Sequence, residues 1–284
     1  MKTTAHAKLN VGLKILGRRK DGFHDLESVF IPLELHDTIT IEILPKGFIG
    51  MLTSDSKDLS TGEDNLVTVA IETLRSIYHF TEQFSIHIEK RIPIGAGLGG
   101  GTSDAISSVK LVARMLNITL SVQDIERISR KVGADARFFF DLKPSFASSI
   151  GDKLLETNIK KAYSVLLVVP ANGLRTKDVF SEYDRLPSKK VIDMKKIQQY
   201  LEESNIRELA NHLDNDLIDA AIRLDSSLEK VNSFLTVKKT KYPVSMTGSG
   251  STFYILGTNQ LSRKITQIKA KKLGLKTIVT KFYL

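Results

Sequence analysis

The densest chemistry in this sequence lies between residues 93 and 104, which read Pro93, Ile94, Gly95, Ala96, Gly97, Leu98, Gly99, Gly100, Gly101, Thr102, Ser103, Asp104. Five of the seven residues from Gly95 to Gly101 are glycine. Ordering so many glycines is entropically costly, and a simple turn needs only one or two of them. Glycine permits positive φ and close approach of a ligand to bare backbone. Thr102, Ser103 and Asp104 suit a helix start, where their oxygens can satisfy free N–H groups. Ala105, Val109, Val112 and Leu116 then follow at helical spacing. A glycine-rich loop feeding a helix N-terminus is an anion site, and the expected ligand is the phosphate chain of a nucleotide triphosphate. Two common phosphate motifs do not fit. No lysine precedes Thr102, which removes the P-loop. Gly95, Gly97 and Gly100 spell G-x-G-x-x-G, but no second strand with an acidic residue follows about twenty positions on.

Other candidates are weaker one by one. Lys8 and Asn10 sit two apart in Ala7-Lys8-Leu9-Asn10 and share a strand face; taken alone, Lys8 reads as an exposed edge lysine. Asp21-Gly22 is a turn signal leading to Phe23-His24. A flat ring beside an imidazole, with its donor and acceptor, can hold a nucleobase by stacking and edge hydrogen bonds, although such a pair is more often structural. Asp135 lies between a helix end at Gly133 and the apolar run Phe138-Phe139-Phe140, where a turn aspartate is the default. Thr247-Gly248-Ser249-Gly250 forms a second glycine-containing loop. The six histidines show no metal-ligand spacing, and there is no G-x-S-x-G elbow.

The elements that must position these residues follow from periodicity. Residues 5–15 predict a strand, and 37–44 another with Ile39, Ile41 and Ile43 on one face. Residues 45–61 read as a polar connection. Asp64-Asn65 opens a helix with Leu66, Val69, Ala70, Leu74 and Ile77 in register. Phe84, Ile86 and Ile88 mark a strand that leads into the glycine loop. Beyond it, Ser121 and Asp124 make a weak capping box, and Gly133 is expected as a left-handed cap. Residues 144–152 read as a junction and 164–169 as a buried strand ended by Pro170. Helical segments follow over 174–186, 190–201, 205–222 and 226–236, with a polar insertion around 187–190 and Asn215-Asp216 inside a helical region. Two strand runs flank the second glycine loop. A helix marked by Leu261, Ile265 and Ile268 and capped by Gly274 precedes a last strand over 276–283. The pattern predicts an α+β sandwich.

Composition bounds the function. The 284 residues can bury one large core or two modest ones. With no cysteine, thiolate metal sites, disulfides and thiol nucleophiles are excluded, and a reducing cytoplasm is compatible. The first eight residues lack an apolar core, so no signal peptide is expected, and no apolar run has the length of a membrane span. The net charge of +9, from 41 basic and 32 acidic residues, suits an anionic partner. The lysines of the last third are scattered without interleaved aromatics, which favours a solvated basic surface over a nucleic-acid interface.

Read together, the motif from Pro93 through Gly97-Leu98-Gly99-Gly100-Gly101-Thr102-Ser103-Asp104, the early Lys8 and Asn10, and the late Thr247-Gly248-Ser249-Gly250 resemble the GHMP kinase superfamily. Asp21-Gly22-Phe23-His24 and Gly133-Ala134-Asp135 sharpen the likeness to its branch that phosphorylates the 2-hydroxyl of a cytidyl diphosphate ester of methylerythritol, in the non-mevalonate route to isoprenoid precursors. The resemblance implies an N-terminal domain like ribosomal protein S5 domain 2 over residues 1–152. It implies a ferredoxin-like domain over 153–284, and an active site in the cleft between them. It implies ATP and Mg²⁺, with Pro93, Ile94, Gly95, Ala96, Gly97, Leu98, Gly99, Gly100, Gly101, Thr102, Ser103 and Asn65 at the nucleotide and Ser103 as the best guess for a magnesium ligand. Asp135 matches the catalytic aspartate and Lys8 its lysine. Asn10, Phe23, His24 and Phe180 match substrate-binding positions. A cytoplasmic monomer or weak homodimer, binding neither nucleic acid nor membrane, is expected. Two positions depart from the family pattern. Ala136-Arg137 stands where Val-Pro is usual, which puts a new cation near the site, and Thr102 replaces a serine. The rivals are a GHMP kinase acting on a sugar, homoserine or mevalonate-type alcohol, and a basic nucleic-acid-binding protein.

Overall fold

The structure, a computed structural model, describes residues 1–187, 191–239 and 241–284, so most of the insertion expected around 187–190 lies outside the described residues. The chain divides into two compact units. One comprises Met1–Ala7, Leu35–Ile94 and Gly99–Leu142; the other comprises Lys8–Glu34, Gly95–Leu98 and Lys143–Leu284. The boundary implied at residue 152 falls within the second of these, and we keep it as a proposal.

Two long strands, β1 (Lys2–Arg18) and β2 (His24–Ile43), contribute residues to both units and pair with each other. Their connection is closed by the Arg19 N–H donating to the Phe23 carbonyl at 2.7 Å. In the first unit, the alternation at Ile39 and Ile41 buries both side chains completely. The 45–61 connection contains an unexpected short strand, β3 (Met51–Ser54), which the polar composition around it concealed. Helix α1 (Leu66–Tyr78) is capped by Asn65, whose Oδ1 accepts from Val67 N at 2.8 Å. Strand β4 (Phe84–Glu89) pairs antiparallel with β2, Ile88 opposite Ile39, and parallel with β3. Helix α2 (Gly100–Met115) packs on α1, and Val67, Ala70 and Leu74 join Ala105, Val109 and Val112 in the core. Burying each such aliphatic side chain is worth about 1.5–3 kcal/mol. Helix α3 (Val122–Val132) has a complete Ser121–Asp124 capping box. Gly133 after it is extended (φ 161°) rather than left-handed, because the chain runs straight on into α4 (Ala136–Asp141).

In the second unit, residues expected as a junction form β5 (Ser145–Ser148), which pairs with β2 at Ser28–Ala147 and with β6 (Lys153–Glu156). The apolar run 164–169 is β7 (Ser164–Val169), followed by α5 (Thr176–Asp184), α6 (Met194–Glu202), α7 (Ile206–His212), α8 (Ile218–Leu224) and α9 (Ser227–Thr236). Strands β8 (Val244–Met246) and β9 (Phe253–Leu256) flank the second glycine loop. Helix α10 (Gln260–Lys272) ends before Gly274, at φ 72°, and β10 (Lys276–Lys281) completes an antiparallel sheet in the order β10-β7-β9-β8. Its inner face, with Leu166, Val168, Phe253 and Ile255, packs with Val179, Tyr183, Leu228 and Val231. Among the described residues no helix is long and apolar enough to cross a membrane.

Candidate active site

The glycine run has two halves with different neighbours. Its second half starts α2. Gly99 is the N-cap at φ 68°, and no side chain caps the helix. The first intrahelical bond is Ser103 N–H to the Gly99 carbonyl (2.9 Å). The amides of Gly100, Gly101 and Thr102 lie ahead of it and have no intrahelical acceptor. Capping by Thr102, Ser103 or Asp104 is therefore not what these residues do. Ser103 is 1% exposed and donates its hydroxyl to the His6 carbonyl at 2.7 Å. The consequence is chemical: a helix start with uncapped amides and no acid in its first turn presents its positive end to an anion. A Cβ on Gly99 would stand 2.7 Å from Phe139 Cζ and 3.7 Å from Asp135 Oδ2. A Cβ on Gly133 would stand 3.6 Å from both Asp135 Oδ1 and Thr102 Oγ1. Asp135 itself caps α4 without a side-chain cap bond. The Asp135 carboxylate, the Thr102 hydroxyl and the α2 N-terminus are thus gathered at one place. Arg137 pairs with Asp141 one helical turn on (3.1 Å), which accounts for its charge locally.

Beneath that helix start sits a buried charge cluster that the sequence does not announce. Lys90 Nζ lies 2.5 Å from Asp37 Oδ2 and 2.8 Å from Asp104 Oδ2. Asp37 is wholly buried and also accepts from the amides of Arg91 and Ile92. A Cβ on Gly100 would meet Ile92 Cγ2 at 2.9 Å and Lys90 Nζ at 3.4 Å, so Lys90 packs directly under the first turn. Burial raises the Asp104 carboxyl to about 7; the Lys90 charge opposes this and Asp37 adds to it. Burial alone would lower Lys90, but Asp104 and Asp37 together outweigh it and raise its pKa.

The first half of the run packs on the second glycine loop. At Gly97 (φ 74°) a Cβ would fall 2.5 Å from the Thr247 carbonyl and 2.7 Å from that of Gly250. Both obstacles are backbone, so only glycine fits. The Thr247 hydroxyl accepts from Asn10 N (3.0 Å) and donates to the Gly97 carbonyl (3.3 Å). Asn10 donates to Ser28 Oγ (3.0 Å), while its Oδ1 is buried with no partner among the described residues. Asn215 lies between α7 and α8 rather than inside a helix. Its amide donates to the Met246 and Gly248 carbonyls at 2.8 Å each, pinning the second loop. Lys8 is 5% exposed, not at an open edge, and its ammonium lies 4.0 Å from the Phe30 ring centroid.

The base-recognition candidates partly converge. The His24 and Phe180 rings are 4.9 Å apart at 33°, and His24 Nε2 lies 2.7 Å from Asp184 Oδ1. Phe23, adjacent to His24 in sequence, is 55% exposed. The Asn65 side chain is engaged in capping α1 and donates to the Ser60 carbonyl at 2.5 Å. The contacts made by Lys90, Asp37, Asn215 and Asp184 are not legible in the sequence, because each is a single polar residue whose partners are remote along the chain. Among the described residues no group of three or more His, Asp or Glu is placed to hold a metal ion.

A family model for the GHMP kinases N terminal domain matches residues 65–140. A 4-diphosphocytidyl-2-C-methyl-D-erythritol kinase of Thermoanaerobacter pseudethanolicus is 31% identical over 254 residues, covering 89% of this chain and 86% of that protein. The protein of the same name from Chlorobaculum parvum is 31% identical over 257 residues, covering 90% and 88%. A crystal structure of 4-(cytidine 5'-diphospho)-2C-methyl-D-erythritol kinase superposes with a TM-score of 0.80 at 25% identity over 99% of both chains. A homoserine kinase from Cytophaga hutchinsonii shares the fold at a TM-score of 0.66 and 13% identity. Relatives this similar along nearly the whole chain establish that it belongs to the GHMP kinase family, among the 4-diphosphocytidyl-2-C-methyl-D-erythritol kinases.

Proposed function

We propose that this protein phosphorylates the 2-hydroxyl of 4-diphosphocytidyl-2-C-methyl-D-erythritol at the expense of ATP, as a cytoplasmic enzyme. The observation that carries the choice of substrate is the His24–Phe180 ring pair: a cytidyl group offers a base to stack and hydrogen-bond, whereas a sugar, homoserine or mevalonate-type alcohol does not. The uncapped start of α2 fits a triphosphate chain, since it offers amides and a dipole but no competing carboxylate in its first turn. Bound ATP supplies the transferred phosphoryl group, and Mg²⁺ with it neutralises phosphate oxygens. No acidic cluster among the described residues marks a resident metal site, so the ion is expected to arrive with the nucleotide. The Ser103 hydroxyl donates its hydrogen to the His6 carbonyl, which leaves its oxygen lone pairs available to the ion, and Ser103 stays the proposed ligand.

The chain's own residues then divide the work. Pro93 to Thr102 cradle the phosphates through backbone. Asn10 offers its unpartnered Oδ1 to a substrate hydroxyl hydrogen. As the hydroxyl oxygen bonds to the γ-phosphorus and the bond to the departing ADP breaks, its proton passes to the Asp135 carboxylate. Lys8 is assigned the stabilisation of charge that develops in this step. Phe23, His24 and Phe180 hold the cytosine. A nucleotide role for Asn65 draws no support from its capping bonds.

The test is an ATP-dependent phosphorylation assay of the cytidyl compound beside homoserine and mevalonate. Turnover of the cytidyl compound alone is expected; its absence would sink the reading. Asp135→Asn should lower kcat by about 10²–10⁴-fold while ATP binding, followed by calorimetry, persists. Full activity in that variant would remove Asp135 from proton transfer.

A further inference from the structure

His24 is held in a way that base stacking does not require. Its ring is 6% exposed, and Nε2 lies 2.7 Å from Asp184 Oδ1. An ionised carboxylate only accepts hydrogen bonds, so the proton in this contact sits on Nε2. In the neutral ring Nδ1 is then a bare acceptor, and among the described residues it has no protein partner. The second carboxylate oxygen is engaged elsewhere, with Arg18 Nη1 3.5 Å from Oδ2. The ring is also fenced in. Phe180 lies against it at 4.9 Å, and Tyr183 meets it edge-on at 6.4 Å and 80°. Phe180, Tyr183 and Asp184 are three and four apart on α5, so one helix face supplies the stacking ring, the fence and the carboxylate. Tyr183 stays a neutral phenol: burial raises it first, with Asp216 and Asp184 adding to the effect.

We propose that Asp184 is a positioning residue that fixes His24 as the Nε2–H tautomer, so that its Nδ1 acceptor selects cytosine over uracil through the exocyclic amino group. This rests on the cytidyl reading of the site. Cytosine presents an N4 amino donor where uracil presents an O4 carbonyl acceptor. An imidazole with Nδ1 bare bonds the first and faces the second acceptor to acceptor. A site whose polar group is left unpaired by the wrong ligand discriminates more strongly than one relying on shape. With the opposite tautomer the preference would reverse. Stacking cannot make this distinction, because both pyrimidines offer a similar face to Phe180 and Phe23. In this account selectivity therefore lives in a proton position set by a residue that need not touch the base.

Two measurements on the full chain test this, with Asp184→Ala and Asp184→Glu as variants. The first is the ¹⁵N spectrum of the His24 imidazole, which reports the tautomer without substrate. The second is the preference for cytidine diphosphate over uridine diphosphate in calorimetric titration, together with kcat/KM for the cytidyl and uridyl forms of the substrate. We expect Nε2–H in the native protein and a mixed tautomer in Asp184→Ala. The cytidine preference should fall about tenfold in that variant, the scale of one hydrogen bond, with the loss in KM rather than kcat and partial recovery in Asp184→Glu. An Nδ1–H tautomer in the native protein would overturn the proposal. So would an unchanged preference in Asp184→Ala, or equal weakening of both nucleotides, which would mark a purely structural role. Should the native protein fail to phosphorylate the cytidyl compound, the functional reading falls, but the tautomer and the diphosphate preference still decide this one.

Discussion

Two charged clusters, one under the start of α2 and one beside His24, are built differently. Under the helix start at Gly100, Lys90 is locked between Asp37 and Asp104 with almost no solvent. Beside His24, the Asp184 side chain remains 28% exposed, and its other partner, Arg18, is mostly in water. Under the proposed function the first cluster supports backbone that binds phosphate without side chains, a task that calls for rigid geometry. Under the same proposal the second presents His24 to a base, a task that calls for the right proton more than for rigidity. Buried ion pairs are costly to break because the remaining charge is stranded, whereas exposed pairs contribute little to stability. The contrast predicts that changes in the first region unfold the protein and changes in the second alter what it selects.

The largest effect should come from Lys90→Met. It strands two buried carboxylates and should cost about 3–5 kcal/mol of stability, read from urea unfolding; a loss comparable to that of a surface pair would erase the contrast. Next comes Gly97→Ala, whose Cβ would collide with the Thr247 and Gly250 carbonyls. Displacing the loop by about an ångström should lower kcat/KM roughly a hundredfold, measured in the phosphorylation assay. Asp104→Asn then probes the buried cluster through pH. The Asp104 carboxyl is raised to about 7 in the folded protein, above its ordinary value of 3.8. The native state therefore keeps a proton that the unfolded chain has released, and this contribution to stability, present at low pH, is lost as pH rises through about 7. The stability of the native protein relative to Asp104→Asn should fall between about pH 4 and pH 7 in urea titrations; a difference that grows with pH would contradict the assignment. The smallest effect belongs to Arg18→Ala, which should change stability by less than about 1 kcal/mol, seen as a Tm shift of a few degrees at most.

How much was legible depended on how local the signal was. The glycine run, the strand at 164–169, the Asn65 and Ser121 caps and the strands around the second glycine loop rest on neighbours within a few residues, and the structure shows each of them. Strands β3 and β5 were missed because each is four residues long and is stabilised by pairing with a remote strand. The left-handed cap expected at Gly133 failed because the following α4, not the helix before it, sets the backbone there. Thr102, Ser103 and Asp104 have good capping chemistry, but Ser103 and Asp104 are spent on His6 and Lys90, partners that spacing along the chain cannot reveal.

Sequence by itself determined that a glycine-rich anion loop opens a helix, that thiol chemistry is absent, and that motifs in their expected order place the chain among GHMP kinases. Those conclusions hold because glycine content, capping chemistry and motif order are properties of the chain before it folds. Only the tertiary structure decided that Lys8 is buried, that the α2 amides stay uncapped, that Gly97 faces two carbonyls, and that His24 Nε2 lies against the Asp184 carboxylate. Each of those depends on atoms far apart in sequence being brought within a few ångströms, and both burial and hydrogen bonding are set at that distance.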